Sequence, residues 1–272
     1  MQTDYLGRLV ELLQGLASSQ EQAFSVGAKR AADAVEAGGL IHLFGSGHSV
    51  IPVMESFPRY GAFAGLNPLT DSRLMWSNVL GSSGVRELLW LERTEGYIKI
   101  YLDNQPISAG DVLIVLSHGG RNAAPIEAAM YGRERGAFVI GVTSVANAAR
   151  PREHSSGKHL SEVVDLAIDT GVPVEDALIH LDGFDRPVGG ASTLVAGAAV
   201  HHLMVATAAE LHARGALPPV FVSPTVPGAT VNSNDEVFES YRRRMIAAQA
   251  RRFPPTNEPH ARKSSVGSQP SR

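Results

Sequence analysis

The chain has 272 residues, 44% of them hydrophobic and 19% charged, and its formal net charge is -3. This is the composition of a folded globular chain long enough for one large domain, without the excess positive charge that would mark a nucleic-acid or anionic-membrane partner. The absence of cysteine excludes disulfides, thiolate metal sites and a cysteine nucleophile.

Leu6, Leu9, Val10, Leu13 and Leu16 recur at helical spacing and predict an amphipathic opening helix. The start, MQTDYLGRLVELLQGL, lacks the basic end and long apolar core of a signal peptide, which fits a cytoplasmic protein. Ser18 with Glu21 fits a capping box for a second helix ending near Gly38-Gly39. Residues 1–38 are thus expected as an N-terminal helical segment, followed by the main domain over 39–250. Leu40–Phe44, Val112–Leu116, Phe138–Val142 and Val163–Ile168 read as strands, and RNAAPIEAAMYGRERG as a helix closed by Gly136. Near-continuous apolar strands alternating with helices predict an α/β fold with a parallel sheet covered on both faces. Residues 62–111 are less regular, with room for a further helix and strands and with turns at Gly96 and Gly110. A loop, DTGVPVEDALIHLDGFDRPVGGAS, leads into a long helix reaching Ala213. The helix is apolar, but His201 and His202 in its middle fit a buried helix better than a membrane span. DEVFESYRRRMIAAQARR predicts a terminal helix, and residues 251–272 a disordered tail rich in proline, serine and charge.

Three polar loops follow the predicted strands: GSGHS, SHGGRN and Thr143-Ser144. Open parallel sheets bind ligands at these carboxyl ends. Gly45 and Gly47 begin a G-x-G, but the third glycine of a dinucleotide fingerprint is missing, and there is no P-loop lysine motif. Serine hydroxyls and loop amides suit a small anion instead. No metal or other cofactor is expected. His201 and His202 are adjacent and face different sides of a helix, and no H-E-x-x-H is present.

Taken together, FGSGHS, VLIVLSHGGRNAAPIE, GVTS, HSSGKHL and ASTLVAGAAVHHLMVATAAEL resemble the sugar isomerase (SIS) domain superfamily. Within it the chain is most similar to stand-alone SIS-domain proteins described as phosphosugar isomerases or phosphosugar-binding proteins. The resemblance implies a three-layer α/β/α sandwich around a five-stranded parallel sheet, and a homodimer or higher homo-oligomer with its sites near the subunit interface. It also implies a small anionic sugar held by hydroxyls and amides. Carried over by position are Ser46, Ser49, Ser117, Gly119, Ser144 and Thr193, and Gly45, Gly47, Gly120, Arg121 and Asn122 of the same loops complete the expected binding set. One departure stands out. The usual second loop reads S-x-S-G, whereas Ser117-His118-Gly119-Gly120 keeps the amide and loses a hydroxyl. Arg121 could supply a charge-assisted contact in its place, which leaves room for a sugar sulfonate or carboxylate.

The resemblance implies aldose–ketose isomerisation through an enediol, which needs a base between C1 and C2 and often a histidine for ring opening. Glu55 on the helix after the first loop, His48 within that loop and Glu175 in the polar loop before the long helix are the candidate catalytic groups. Asp176 and Glu127 are further carboxylates nearby, and a pairing of Arg59 with Glu55 would lower the latter's pKa and make it structural. RPREHSSGKH gathers His154, Ser155, Ser156 and Lys158 as an interface or lid segment. An SIS-type etherase or deaminase and a non-catalytic sugar-phosphate-binding protein stay open as alternatives. No helix-turn-helix or basic region stands beside the domain to favour a sensor.

Overall fold

The computed structural model describes residues 4–75 and 84–254. Helix α1 (Tyr5–Ser19) starts at Asp4, whose carboxylate accepts the Gly7 amide at 2.8 Å. Its predicted apolar stripe is only partly used: Leu16 is buried, while Leu6 and Val10 remain 72% and 50% exposed. The predicted capping box does not form. The Ser18 hydroxyl turns back to the Gln14 and Gly15 carbonyls of α1, and α2 (Glu21–Glu36) follows Gln20 without a side-chain cap.

Five parallel strands form the sheet in the order β2-β1-β3-β4-β5. They are β1 (Ile41–Gly45), β2 (Leu66–Leu69), β3 (Val112–Leu116), β4 (Phe138–Thr143) and β5 (Leu166–Asp169). The fourth predicted strand is displaced: Leu160–Glu162 makes a short helical turn, Leu160 and Val163 drop into the core, and pairing starts only at Leu166. The strand that completes the set is β2, drawn from the irregular stretch. It reads LNPL, and its proline is tolerated because β2 is an edge strand.

Alternation along the strands sorts two cores. Ile41, Leu43, Val112, Ile114, Leu116, Ile140 and Val142 face Phe24, Ala28, Ala31 and Ala32 of α2 and Val195, Ala199 and Leu203 of α7 (Ser192–Ala213). Helix α3 (Val50–Ser56) joins this side through Val53. Phe44, Leu113, Val115 and Val139 face the other way, against α4 (Gly84–Leu91), α5 (Tyr97–Leu102) and α6 (Ala123–Glu134). Each large aliphatic side chain so buried contributes about 1.5–3 kcal/mol. The N-terminal helices share this core with the sheet. A small hairpin, β6 (Ala177–Ile179) with β7 (Val188–Gly190), occupies the stretch expected as a loop. Helix α8 (Asp235–Arg252) is last, and residues 255–272 of the expected tail lie outside the described residues.

At the amino ends of the strands, one buried carboxylate gathers four donors. Asp111 accepts the Leu40 amide at 2.9 Å, the Ser108 amide at 3.0 Å, His42 Nε2 at 3.2 Å and Arg251 at 3.2 Å. The other ring nitrogen, His42 Nδ1, lies 2.9 Å from the Asn67 side-chain amide, so the imidazole is placed to donate from Nε2. His42 and Asp111 are essentially sealed from solvent. Removing the Asp111 carboxylate leaves the neutral His42 N–H buried without an acceptor, at a cost of about 1–3 kcal/mol. Asp111→Ala is therefore expected to lower the urea-unfolding free energy by about that much, with Asp111→Asn costing less because it retains an acceptor.

Candidate active site

The chain leaves β1 and β3, which are neighbours, toward opposite faces. α3 goes to the α7 side and α6 to the α4–α5 side. The loops after these strands diverge and open a crevice at the switch point, the standard ligand position of such sheets. In the first loop, a Cβ on Gly45 would collide with the Ser49 carbonyl, so only glycine lets the turn close. The Gly47 amide donates to Leu74 O at 2.8 Å, and the Ser49 amide to Ser46 O at 3.1 Å. In the second loop, Ser117 Oγ accepts the Gly120 amide at 3.1 Å. Gly120 has φ +58 and packs where a Cβ would strike the His159 ring.

His159 props this loop from behind. Its Nε2 lies 3.0 Å from Gly119 O and its Nδ1 2.9 Å from Ser161 Oγ, and burial holds its pKa below the usual histidine value. Gly119 is different: nothing lies within 4 Å of where its Cβ would be. Its lost hydroxyl is not excluded by crowding.

A small cavity opens between the loops and the start of α7, lined by Ser49, Ser117, His118, Thr170, Ser192 and Thr193 with the apolar Val142 and Ala196. Four residues of the sequence-derived set are thus accounted for here: Ser49, Ser117 and Thr193 on the wall, with Gly120 shaping it. Asp176 closes the α7 end. Its carboxylate accepts the Ala191 and Ser192 amides at 3.0 and 2.7 Å and the Ser192 hydroxyl at 3.0 Å. Asp176 adopts φ +67, a left-handed conformation that aims its side chain back at the helix.

Sequence reading missed the carboxyl group that joins the two loops. Glu92, just past α4, accepts Ser46 Oγ at 2.8 Å on one oxygen and the Asn122 amide at 2.6 Å on the other. It is 8% exposed, and burial raises its pKa. The Ser46 bond and Arg93 oppose that shift, while Glu153 adds to it. Glu92 sits 46 residues from Ser46 and 30 from Asn122, at the end of an unremarkable WLER stretch. No local pattern could have singled it out.

Other expected residues fall elsewhere. Glu55 does not turn toward the glycine loop. It reaches along the chain to Arg59 at 2.8 Å, and both side chains are about half exposed, a surface pair of small energetic weight. Arg121 is not open to an anion, because Glu153 takes its guanidinium and also holds Arg93 at 3.3 Å. Ser144 is fully buried, with its hydroxyl donated to Val172 O at 2.7 Å. Glu175 and His48 are exposed. Glu127 accepts the Gly96 amide at 2.8 Å, and with Glu95 and His154 it forms the one carboxylate–histidine cluster of metal-ligating type among the described residues. Both Ser155 donors occupy Glu95 and Ser156 holds His154 Nδ1 at 2.7 Å, so HSSGK serves chiefly to tie this edge together.

The sequence profile of the SIS domain matches residues 4–144. The chain belongs to the SIS domain family. It is 38% identical over 247 residues to a UPF0309 protein of Halalkalibacterium halodurans, an alignment covering 90% of this chain and 96% of the relative. A UPF0309 protein of Streptomyces coelicolor is 35% identical over 247 residues, covering 89% and 95%. Among solved structures the chain is similar to a phosphoheptose isomerase from Francisella tularensis, with TM-score 0.47, 14% identity and coverage of 75% of this chain and 94% of that one. It is also similar to the sugar isomerase domain of an RpiR transcription factor from Sphaerobacter thermophilus, with TM-score 0.47, 16% identity and coverage of 79% and 93%.

Two outcomes follow from this geometry. Gly119→Ser restores the family hydroxyl in open space and is expected to leave the melting free energy within about 0.5 kcal/mol of the parent. For Glu92, a raised folded-state pKa means that its contribution to stability is full below the ordinary glutamate value of 4.5 and lost as pH rises through the higher folded value. In urea titrations across that window the parent should therefore lose stability relative to Glu92→Gln as pH rises. Parallel pH profiles would show that the carboxyl is not perturbed.

Proposed function

We propose that this SIS-family protein is an isomerase for a phosphorylated sugar, with Glu92 as the proton-transfer carboxylate. The observation that carries the reading is Glu92 itself, a buried carboxyl of raised pKa bonded to both loops that wall the hydroxyl-lined cavity. As closed here the cavity, about 10 Å³, holds no more than a water molecule, and the anionic end of a ligand enters it as the loops part. Ser49, Ser117, Thr170 and Thr193 supply hydroxyls, while Asp176 already holds the Ala191 and Ser192 amides and the Ser192 hydroxyl, leaving the Thr193 and Leu194 amides of the first turn of α7. The carbon chain of the sugar then extends along the crevice toward Glu92.

As carboxylate, Glu92 takes the proton from the carbon beside the carbonyl, leaving an enediolate. It returns that proton to the neighbouring carbon, while a hydroxyl proton passes between the two sugar oxygens. Atoms and redox state balance without a co-reactant. A pKa raised toward the working pH favours such two-way transfer. Asn122 and Ser46 orient the carboxyl and move with the loops when a ligand enters.

The first test is thermal stabilisation of the pure protein by a panel of sugar phosphates, with sulfonated and uncharged sugars alongside. A ligand at one hundred times its Kd should add about 2.7 kcal/mol. Stabilisation by a subset of phosphates, followed by exchange of the C2 proton with solvent deuterium by NMR, is the expected result. Glu92→Gln should abolish exchange and keep the stabilisation. A panel that stabilises only with sulfonates, or not at all, overturns the phosphosugar reading. Undiminished exchange in Glu92→Gln removes Glu92 from the mechanism.

A further inference from the structure

Three segments far apart in the chain bring a histidine and two carboxylates to one point. Glu95 comes from the turn between α4 and α5, Glu127 from the second turn of α6, and His154 from the strap that connects β4 to β5. One ligating atom from each lies within 4.8 Å of the others. The His154 side chain is only 7% exposed, and its Nε2 faces both carboxylates, 3.6 Å from Glu127 and 3.9 Å from Glu95. Both distances exceed a hydrogen bond. The nitrogen is aimed at the two carboxylates and bonded to neither.

Each member is held from behind. Glu95 accepts the Ser155 amide on one oxygen and the Ser155 hydroxyl on the other, both at 2.6 Å. Glu127 accepts the Gly96 amide at 2.8 Å. A carboxylate offers about four lone-pair sites, so both keep acceptor capacity toward the ring. His154 Nδ1 meets Ser156 Oγ at 2.7 Å, and the same oxygen accepts the Lys158 amide at 3.2 Å. A proton on Nδ1, donated to that oxygen, leaves Nε2 as a bare ligand. The Ser156 amide, 3.2 Å from Nδ1, serves the other tautomer. An imidazole fixed through its far nitrogen and facing hydrogen-bonded carboxylates is how metal ligands are oriented.

We propose that Glu95, Glu127 and His154 bind one divalent cation of the zinc type, which clips residues 150–158 to α6 and to the α4–α5 turn. Zinc bonds of about 2.0–2.2 Å to nitrogen and oxygen set neighbouring ligands about 3.4 Å apart in a tetrahedron. The separation of Nε2 from Glu127 is already near that value, and Glu95, 41% exposed on its turn, has room to close the rest. The imidazole in the set favours zinc over magnesium or calcium, which prefer oxygen alone. A cation here also offsets the repulsion of two carboxylates that share one spot. Glu153, next along the strap, holds Arg121 and Arg93, so the clip steadies the residue that keeps Arg121 from an anion. None of the three ligands belongs to the proton-transfer or anion-binding groups, and the site stands or falls independently of them.

The test uses the untagged full chain, stripped with a chelator, dialysed and titrated calorimetrically with zinc chloride, with elemental analysis of the loaded protein. The expected result is one zinc per chain, a melting temperature that rises with zinc concentration, and slower amide hydrogen exchange in residues 150–158 on loading. Ser156→Ala removes the oxygen behind His154 and should weaken zinc binding by about 10–100-fold. Glu127→Gln, which keeps an oxygen for the Gly96 amide, and His154→Ala each remove a ligand and should weaken it further still. Magnesium and calcium at equal concentration should not displace zinc. Absence of zinc binding overturns the proposal and leaves a plain contact between a histidine and two carboxylates. Zinc held equally by the parent, Glu127→Gln and His154→Ala overturns it by placing the ion elsewhere, and magnesium binding as tightly as zinc overturns the assignment of the cation. Should the ligand variants fail to fold, amide exchange in the parent decides: protection on loading that bypasses residues 150–158 overturns the site.

Discussion

The arrangement depends on one constraint: β1 and β3 lie side by side, yet their chains must leave toward opposite faces. A parallel sheet buried on both sides needs helices on both, and five strands in this order force the change of side between these two. The loops cannot pack against each other at that point, so their polar groups need other partners. The protein supplies those partners with side chains. Glu92 joins the first loop to the second, His159 supports the second from beneath, and Asp176 occupies amides at the start of α7. A site built this way is held by polar contacts of long sequence separation.

The family resemblance and the sheet were legible because their signals are local. Val112–Leu116 is an uninterrupted apolar run, fully buried as such runs are in covered parallel sheets, and the glycines of GSGHS mark a turn that Gly45 alone can make. Where the signal was mixed, the reading failed for physical reasons. LNPL contains a buried asparagine, which serves the His42 cluster, and a proline that only an edge position accepts, so β2 does not look like a strand. Val163 has the character of a strand residue but is claimed by the core against α6, which shortens β5.

The chemistry was less legible than the frame. Ser46, Ser117 and Asn122 were found because loops after strands are where ligands bind. Glu92 gains its character only from what the fold brings around it, burial and the two loops it joins. Glu55 illustrates the converse. It sits at a suggestive spacing from the glycine loop, but Arg59 one turn further on offers it a closer charge. Spacing places a carboxylate near a site, and competing partners decide where it points.

The last helix has a consequence for how far the chain can be shortened. Arg244 and Arg251 of α8 donate to the carbonyls of Val35 and Gly38, and Arg251 also reaches Asp111. Tyr241 lies within hydrogen-bond reach of Asn67. The polar plug beneath the sheet is thus built from residues near positions 42, 67 and 111, but its lid is encoded about 140 residues after Asp111. A chain that stopped before α8 would leave Asp111 without its arginine and the Val35 and Gly38 carbonyls without these donors, so the amino end of the sheet depends for its polar partners on the most charged helix among the described residues.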